Sequence, residues 1–115
     1  MREKRFAIPG ERIKPLLVGM GGCFATDHIT VEGRKVGFMY RDIPDESQLS
    51  GWTFLSAEES QEYADDPDNW AIYDVNTICN YDPAIIPYLH SPFGTAFGRV
   101  SGTDRFEREA NPPGD

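Results

Sequence analysis

Residues 36–59 read Val-Gly-Phe-Met-Tyr-Arg-Asp-Ile-Pro-Asp-Glu-Ser-Gln-Leu-Ser-Gly-Trp-Thr-Phe-Leu-Ser-Ala-Glu-Glu. Val36, Phe38 and Tyr40 alternate with Gly37, Met39 and Arg41, the period of two that marks a half-buried strand. A polar loop around Pro44 follows. Gly51 to Leu55 then predicts a second strand with Trp52 and Phe54 on one face. Ser56-Ala57-Glu58-Glu59 has the spacing of a capping box, in which the serine hydroxyl takes the amide of Glu59 and the glutamate reaches back to the amide of Ser56. This predicts a helix over about 57–65, stopped by Pro67, because the residue before a proline is pushed out of the helical region.

Upstream, Gly19, Gly21 and Gly22 lead into a strand at about 23–28. Ile29-Thr30-Val31 is β-branched throughout, and Glu32-Gly33-Arg34 offers a turn, so 29–41 reads as a hairpin. Downstream, Asp65-Asp66-Pro67-Asp68-Asn69 is a turn cluster. Trp70 to Tyr73 is a short strand or an extended link. Asp74 caps a helix through about Asn80, and Asp82 followed by Pro83 starts another, which Pro87 keeps short. Gly94 to Val100 closes the domain as a strand, with Phe93 and Phe97 as core candidates. Strands and short helices in this grouping predict one α+β domain with a mostly antiparallel sheet and a few short helices between strands. Residues 1–15 form an arm, 16–106 the domain, and 107–115 a frayed tail.

A length of 115 residues with 39% hydrophobic and 12% aromatic side chains supports one folded core and argues against disorder. No run approaches the ~18 apolar residues of a membrane span, and no apolar leader segment follows the charged N-terminus. Both features point to the cytoplasm. Cys23 and Cys79 lack C-x-x-C spacing and read as reduced, packed thiols.

Charge carries more information. Residues 1–41 hold eight Lys/Arg and four Asp/Glu, while residues 42–98 hold eleven Asp/Glu and no Lys or Arg. Nucleic-acid binding is therefore disfavoured, since phosphate contacts need basic side chains. The segment is either a solvated, solubilising surface or a face that attracts a basic protein.

Chemistry-bearing patterns are weak. His28 and His90 have no paired-ligand spacing. The aspartates at 65, 66 and 68 fail the calcium-loop pattern, with Pro67 inside it and no glutamate within reach downstream. Gly19-Met20-Gly21-Gly22 lacks the lysine of a phosphate loop. The glutamates at 58 and 59 are sequence neighbours and do not face one another on a helix. No catalytic residue, metal site or cofactor is expected. Trp52, Trp70, Tyr73 and Tyr81 read as core aromatics, with Trp70, after its turn, the one placed to be partly exposed.

An ordered series of motifs runs through the chain. It comprises Val36-Gly37-Phe38-Met39-Tyr40-Arg41, Gly51-Trp52-x-Phe54 with Ser56 and Glu58/Glu59, and Asp68-Asn69. It continues with Ile72-Tyr73-Asp74-x-Asn76-Thr77-Ile78, Asp82-Pro83-x-Ile85 and Gly94-x-x-Phe97-x-Arg99. From Gly22 to Arg99 this resembles a bacterial family, first filed as a domain of unknown function, of predicted immunity proteins from polymorphic toxin systems. Ser56-Ala57 stands where the family pattern often has Ser-Gly. The resemblance implies an α+β, cytoplasmic, non-enzymatic protein that binds a toxin, and it brings no binding residues with it. Joined to the charge pattern, it suggests an acidic face over 42–69 that occupies a basic toxin cleft. The partner-binding candidates are Glu58, Glu59, Glu62, Asp65, Asp66 and Asp68, with Trp70 as anchor. The alternatives are a regulatory protein-interaction module without a toxin and a small ligand-binding or enzymatic domain. The oligomeric state stays open.

Overall fold

Side chains that alternate along each strand divide into a buried and an open set, and that division organises the molecule. The computed structural model describes residues 4–109. Its strands are β1 (Gly22–Thr26), β2 (Phe38–Arg41), β3 (Leu49–Leu55), β4 (Trp70–Asp74), β5 (Ala96–Arg99) and β6 (Phe106–Arg108). Its helices are α1 (Asp27–Thr30), α2 (Gln61–Asp65) and α3 (Val75–Tyr81), with a 3-10 segment at Pro83–Tyr88. The strands form one mixed sheet in the order β4-β1-β3-β2-β5-β6. Only the β1–β3 ladder is parallel; the other four are antiparallel. The architecture is a single α+β domain, as the sequence predicts.

Cys23, Ala25, Met39, Trp52, Phe54 and Phe97 share one face of the sheet and join Ile29, Val75, Ile78, Cys79, Ile85 and Leu89 in a single buried cluster. The helical segments therefore cover that face. Trp52 is fully buried, and its indole N–H donates to the Leu89 carbonyl at 3.1 Å, which satisfies the one polar atom of a large core ring. Both cysteines are free and buried. Burial raises both thiols, Cys79 to about 11, so neither is a ready nucleophile.

Several local expectations are corrected. The hairpin over 29–41 is absent. Residues 27–30 form α1 instead, with Val31 N–H and Glu32 N–H on the Asp27 carbonyl at 2.9 and 3.0 Å. Burial outweighs β propensity here, because the helical turn drives Ile29 into the core and aims the Thr30 carbonyl at the Tyr81 hydroxyl, 2.9 Å away. The helix predicted from 57 begins at Gln61, with Ser60 as its cap accepting from Tyr63 N–H at 3.1 Å. Only half the expected capping box forms. Glu59 Oε2 accepts from Ser56 N–H at 2.8 Å, but Ser56 Oγ takes the amide of Glu58 rather than that of Glu59. Ala57 has φ +73°, which breaks any helix at that point. Phe93, expected in the core, is half-exposed beneath the Arg41 guanidinium, 4.5 Å from its ring.

Other local expectations hold. Asp74 caps α3 through Asn76 N–H, Asp82 caps the segment from Pro83 through Ala84 N–H, and β4 is a strand. A last strand, β6, was not expected. It pairs with β5 and takes in residues 107 and 108 of the supposed tail; residues 110–115 lie outside the described residues. The arm from Lys4 to Pro15 lies against the helical side. Ala7 N–H bonds the Thr30 carbonyl, and Asn76 and Asn80, one turn apart on α3, both donate to the Lys14 carbonyl.

Motif residues far apart in sequence meet in this frame. Asp82, almost fully buried, accepts from Val36 N–H at 3.0 Å and forms an ion pair with Arg99. That pair ties β5 to the start of the 3-10 segment. Gly51, at φ +90°, sits where a β-carbon would overlap the Asp42 carbonyl oxygen, so the Gly-Trp motif needs its glycine for close strand approach.

Candidate functional site

The predicted partner-binding residues lie on the β3–β4 connection, and the structure separates them. Glu62, Asp65, Asp66 and Asp68 are exposed, on α2 and the turn after it. Asp65 accepts from the Gln61 amide at 2.8 Å, and Asp66 caps the 3-10 turn at Pro67–Asn69. Glu58 is exposed but pairs with Arg34 at 3.0 Å, and Arg34 also meets Glu32 at 2.8 Å. Trp70 is half-buried; its indole N–H donates to the Ala64 carbonyl at 2.8 Å and holds the C-terminal turn of α2 against β4.

Glu59 departs from the surface expectation. Its side chain is 2% exposed. Oε2 accepts from Thr26 Oγ1 at 2.6 Å and from Ser56 N–H at 2.8 Å, while Oε1 is buried without a hydrogen-bond partner. Burial pushes this carboxyl up, but the bonds from Thr26 and Ser56 outweigh it and hold the group below the usual carboxylate range. Glu59 is thus part of the scaffold that supports the acidic segment.

Around it stands a polar cluster. His28 Nδ1 lies 2.9 Å from Ser56 Oγ and 3.5 Å from Glu59 Oε2, and the His28 ring packs against Tyr63 with centroids 4.2 Å apart and the planes tilted by 31°. Burial, with the nearby charges of Asp27, Glu32 and Glu59, pushes the Tyr63 phenol up to about 12. A nucleophilic triad places serine and carboxylate on opposite nitrogens of the histidine. Here Ser56 and Glu59 both face Nδ1, the Glu32 carboxylate on the Nε2 side is 4.0 Å away and beyond hydrogen-bond reach, and Ser56 Oγ accepts from the amide of Glu58. These bonds hold the turn after β3. Among the described residues no group of three or more His, Cys, Asp or Glu is placed to hold a metal ion. No helix among them is long and apolar enough to cross a membrane.

Of the eleven acidic residues in 42–98, only Glu59 and Asp82 turn inward; the other nine are exposed. The surface contributed by this segment is therefore acidic over most of its charged positions. Two apolar side chains next to it, Phe24 and Ile72, were not among the predicted binding residues. They are 39% and 59% exposed. Strand alternation signals that one set of residues faces out, but not whether another element covers it.

A family model described as the Immunity protein Imm33 domain matches residues 23–109. The match begins at β1 and ends just past β6, so it spans the whole sheet. No curated protein and no solved structure matches the chain.

Proposed function

The chain belongs to the Imm33 immunity-protein family, and from that membership we propose that it is a non-enzymatic, cytoplasmic binding protein that neutralises a cognate toxin through an acidic surface. The observation that carries this reading is the family match across the complete sheet. The physical support is the run of nine exposed carboxylates in a segment without a single basic side chain. Such a surface attracts a basic protein, raises the rate of encounter and turns nucleic acid away. The partner is a basic toxin domain, and Glu58, Glu62, Asp65, Asp66 and Asp68 present the charge, with Trp70 at their edge. Neither cofactor nor metal takes part.

The test is co-expression of this chain with the toxin domain encoded beside its gene, with growth as the readout. The wild-type chain restores growth. Reversal of Glu58, Glu62, Asp65 and Asp68 to lysine weakens the rescue and the retention of the toxin on the tagged protein. Rescue undiminished by the four reversals would remove the acidic segment from the mechanism; no rescue by the wild-type chain would overturn the immunity reading itself.

A further inference from the structure

The helices α1 and α3 and the 3-10 segment at Pro83–Tyr88 pack on one face of the sheet, while the end of α2, held by Trp70, borders the other face at β4 and leaves most of it open. Phe24, Phe38, Tyr40, Leu49, Leu55 and Ile72 alternate with the buried core positions and keep partial exposure. The strand ladder sets Phe24 directly opposite Ile72 on β4 and Thr53 on β3. Among the strand residues of this face there is no lysine or arginine.

Phe24 borders two recesses. One, of about 230 Å³, is walled by the β2–β3 loop, with Asp42 and Asp45 beside Ile43, which is 78% exposed. The other, of about 460 Å³, is walled by the end of α2, with Asp65 beside Trp70 and Ile72. An aromatic ring thus stands between two acidic walls that are far apart in sequence. An exposed apolar patch rimmed by charge is the usual anatomy of a protein contact, with an apolar centre and a polar rim.

Resting on the toxin-neutralising reading, we infer that the centre of the toxin contact is this open sheet face, and that it receives a cationic protein segment whose apolar side chain packs on Phe24 and Ile72 while its Lys or Arg residues meet Asp42, Asp45 and Asp65. Charge decides the occupant. A nucleic acid or an anionic lipid surface would be repelled by both walls. A second copy of this chain would set like charges against one another across a desolvated contact. A cationic segment satisfies the walls and the apolar floor together. The helix α2, taken alone, supplies only one wall; the β2–β3 loop supplies the other.

The experiment measures affinity for the purified toxin domain encoded beside this chain's gene, by titration calorimetry at low and high salt, together with sedimentation of the chain alone. The variants are Phe24→Ser with Ile72→Ser, and Asp42→Lys with Asp45→Lys. Val18→Ser and Glu11→Lys, at exposed positions on the arm side, are controls, and thermal melts verify that each variant folds. We expect the apolar pair to weaken binding by about 30-fold or more, as hot-spot truncations do. The wall reversal should slow association and flatten its dependence on salt, while the controls bind as the wild type does. If the wild type binds and the folded apolar pair binds equally well, the open face is not the contact, though the immunity reading stands. If the wild type does not bind at either salt, the immunity reading falls and the assignment falls with it. If the chain alone forms a dimer that the apolar pair dissolves, the occupant is a second copy and the assignment is overturned.

Discussion

Ala57 carries a backbone conformation that its side chain disfavours. With φ at +73° it occupies the region where a β-carbon crowds the backbone, at a cost of roughly 1–2 kcal/mol for a non-glycine residue. Glycine takes that conformation freely. The turn has to bend there because the Ser56 carbonyl packs against Gly37, where a β-carbon would overlap it. Ala57→Gly is therefore expected to stabilise the fold by about 0.5–1 kcal/mol, less than the strain because glycine also gains freedom in the unfolded chain. A thermal melt measures it: the midpoint should rise by a few degrees, and a lower midpoint would show that the turn is not strained.

Elements are joined here by buried polar side chains more than by long helices, and Glu59 is the clearest case. It connects the β3–α2 turn to the end of β1 through Ser56 and Thr26. Because its pKa is depressed in the folded state, its stabilising effect is fully present above the ordinary glutamate range. That effect is lost as pH falls through the depressed folded value. Glu59→Gln removes the charge and keeps the shape. It is expected to cost about 1.5–3 kcal/mol at pH 7, the scale of a hydrogen bond to a charged group. Denaturant unfolding at pH 7 and again near pH 3 checks the sign: the gap between wild type and variant should narrow in acid. A gap that widens in acid would mean that the folded protein raises the Glu59 pKa above its unfolded value instead of depressing it. The same logic of distant polar partners explains the Asp82–Arg99 pair, whose two residues looked unrelated as separate motifs.

At the scale of the whole molecule the dominant property is charge asymmetry on a one-sided sheet. A net charge of −8 comes from a central segment of one sign, and the structure exposes most of it, with Asp42, Asp45 and Asp65 at the rim of the open sheet face. Long-range attraction of this kind acts on encounter more than on residence. The association rate with a basic partner is thus expected to fall about tenfold or more between low and physiological salt, with a much smaller change in dissociation. Stopped-flow or surface-based kinetics would show this directly; a dissociation rate that carries the whole salt effect would point to buried ion pairs instead.

Local signals were legible in the chain because their physics is local. The strand at Phe38–Arg41, the caps at Asp74 and Asp82, the stop at Pro67 and the absence of basic residues from 42 to 98 depend on neighbours a few positions away, although which face of that strand is buried, Met39 and not Phe38 or Tyr40, was set by packing. The series of motifs, read in order, was enough to point to the family. Everything that depended on what packs against what needed the tertiary structure. Ile29 and Thr30 favour a strand by type but turn as a helix because the core lies on that side. Glu59 looks like a surface acid and is buried because Thr26 and Ser56 receive it. Phe24 and Ile72 look like ordinary strand residues, and only the order β4-β1-β3 sets them side by side on the face opposite the core. Hydrogen bonds at caps and turns are decided within a few residues, whereas burial is decided by which distant segments meet.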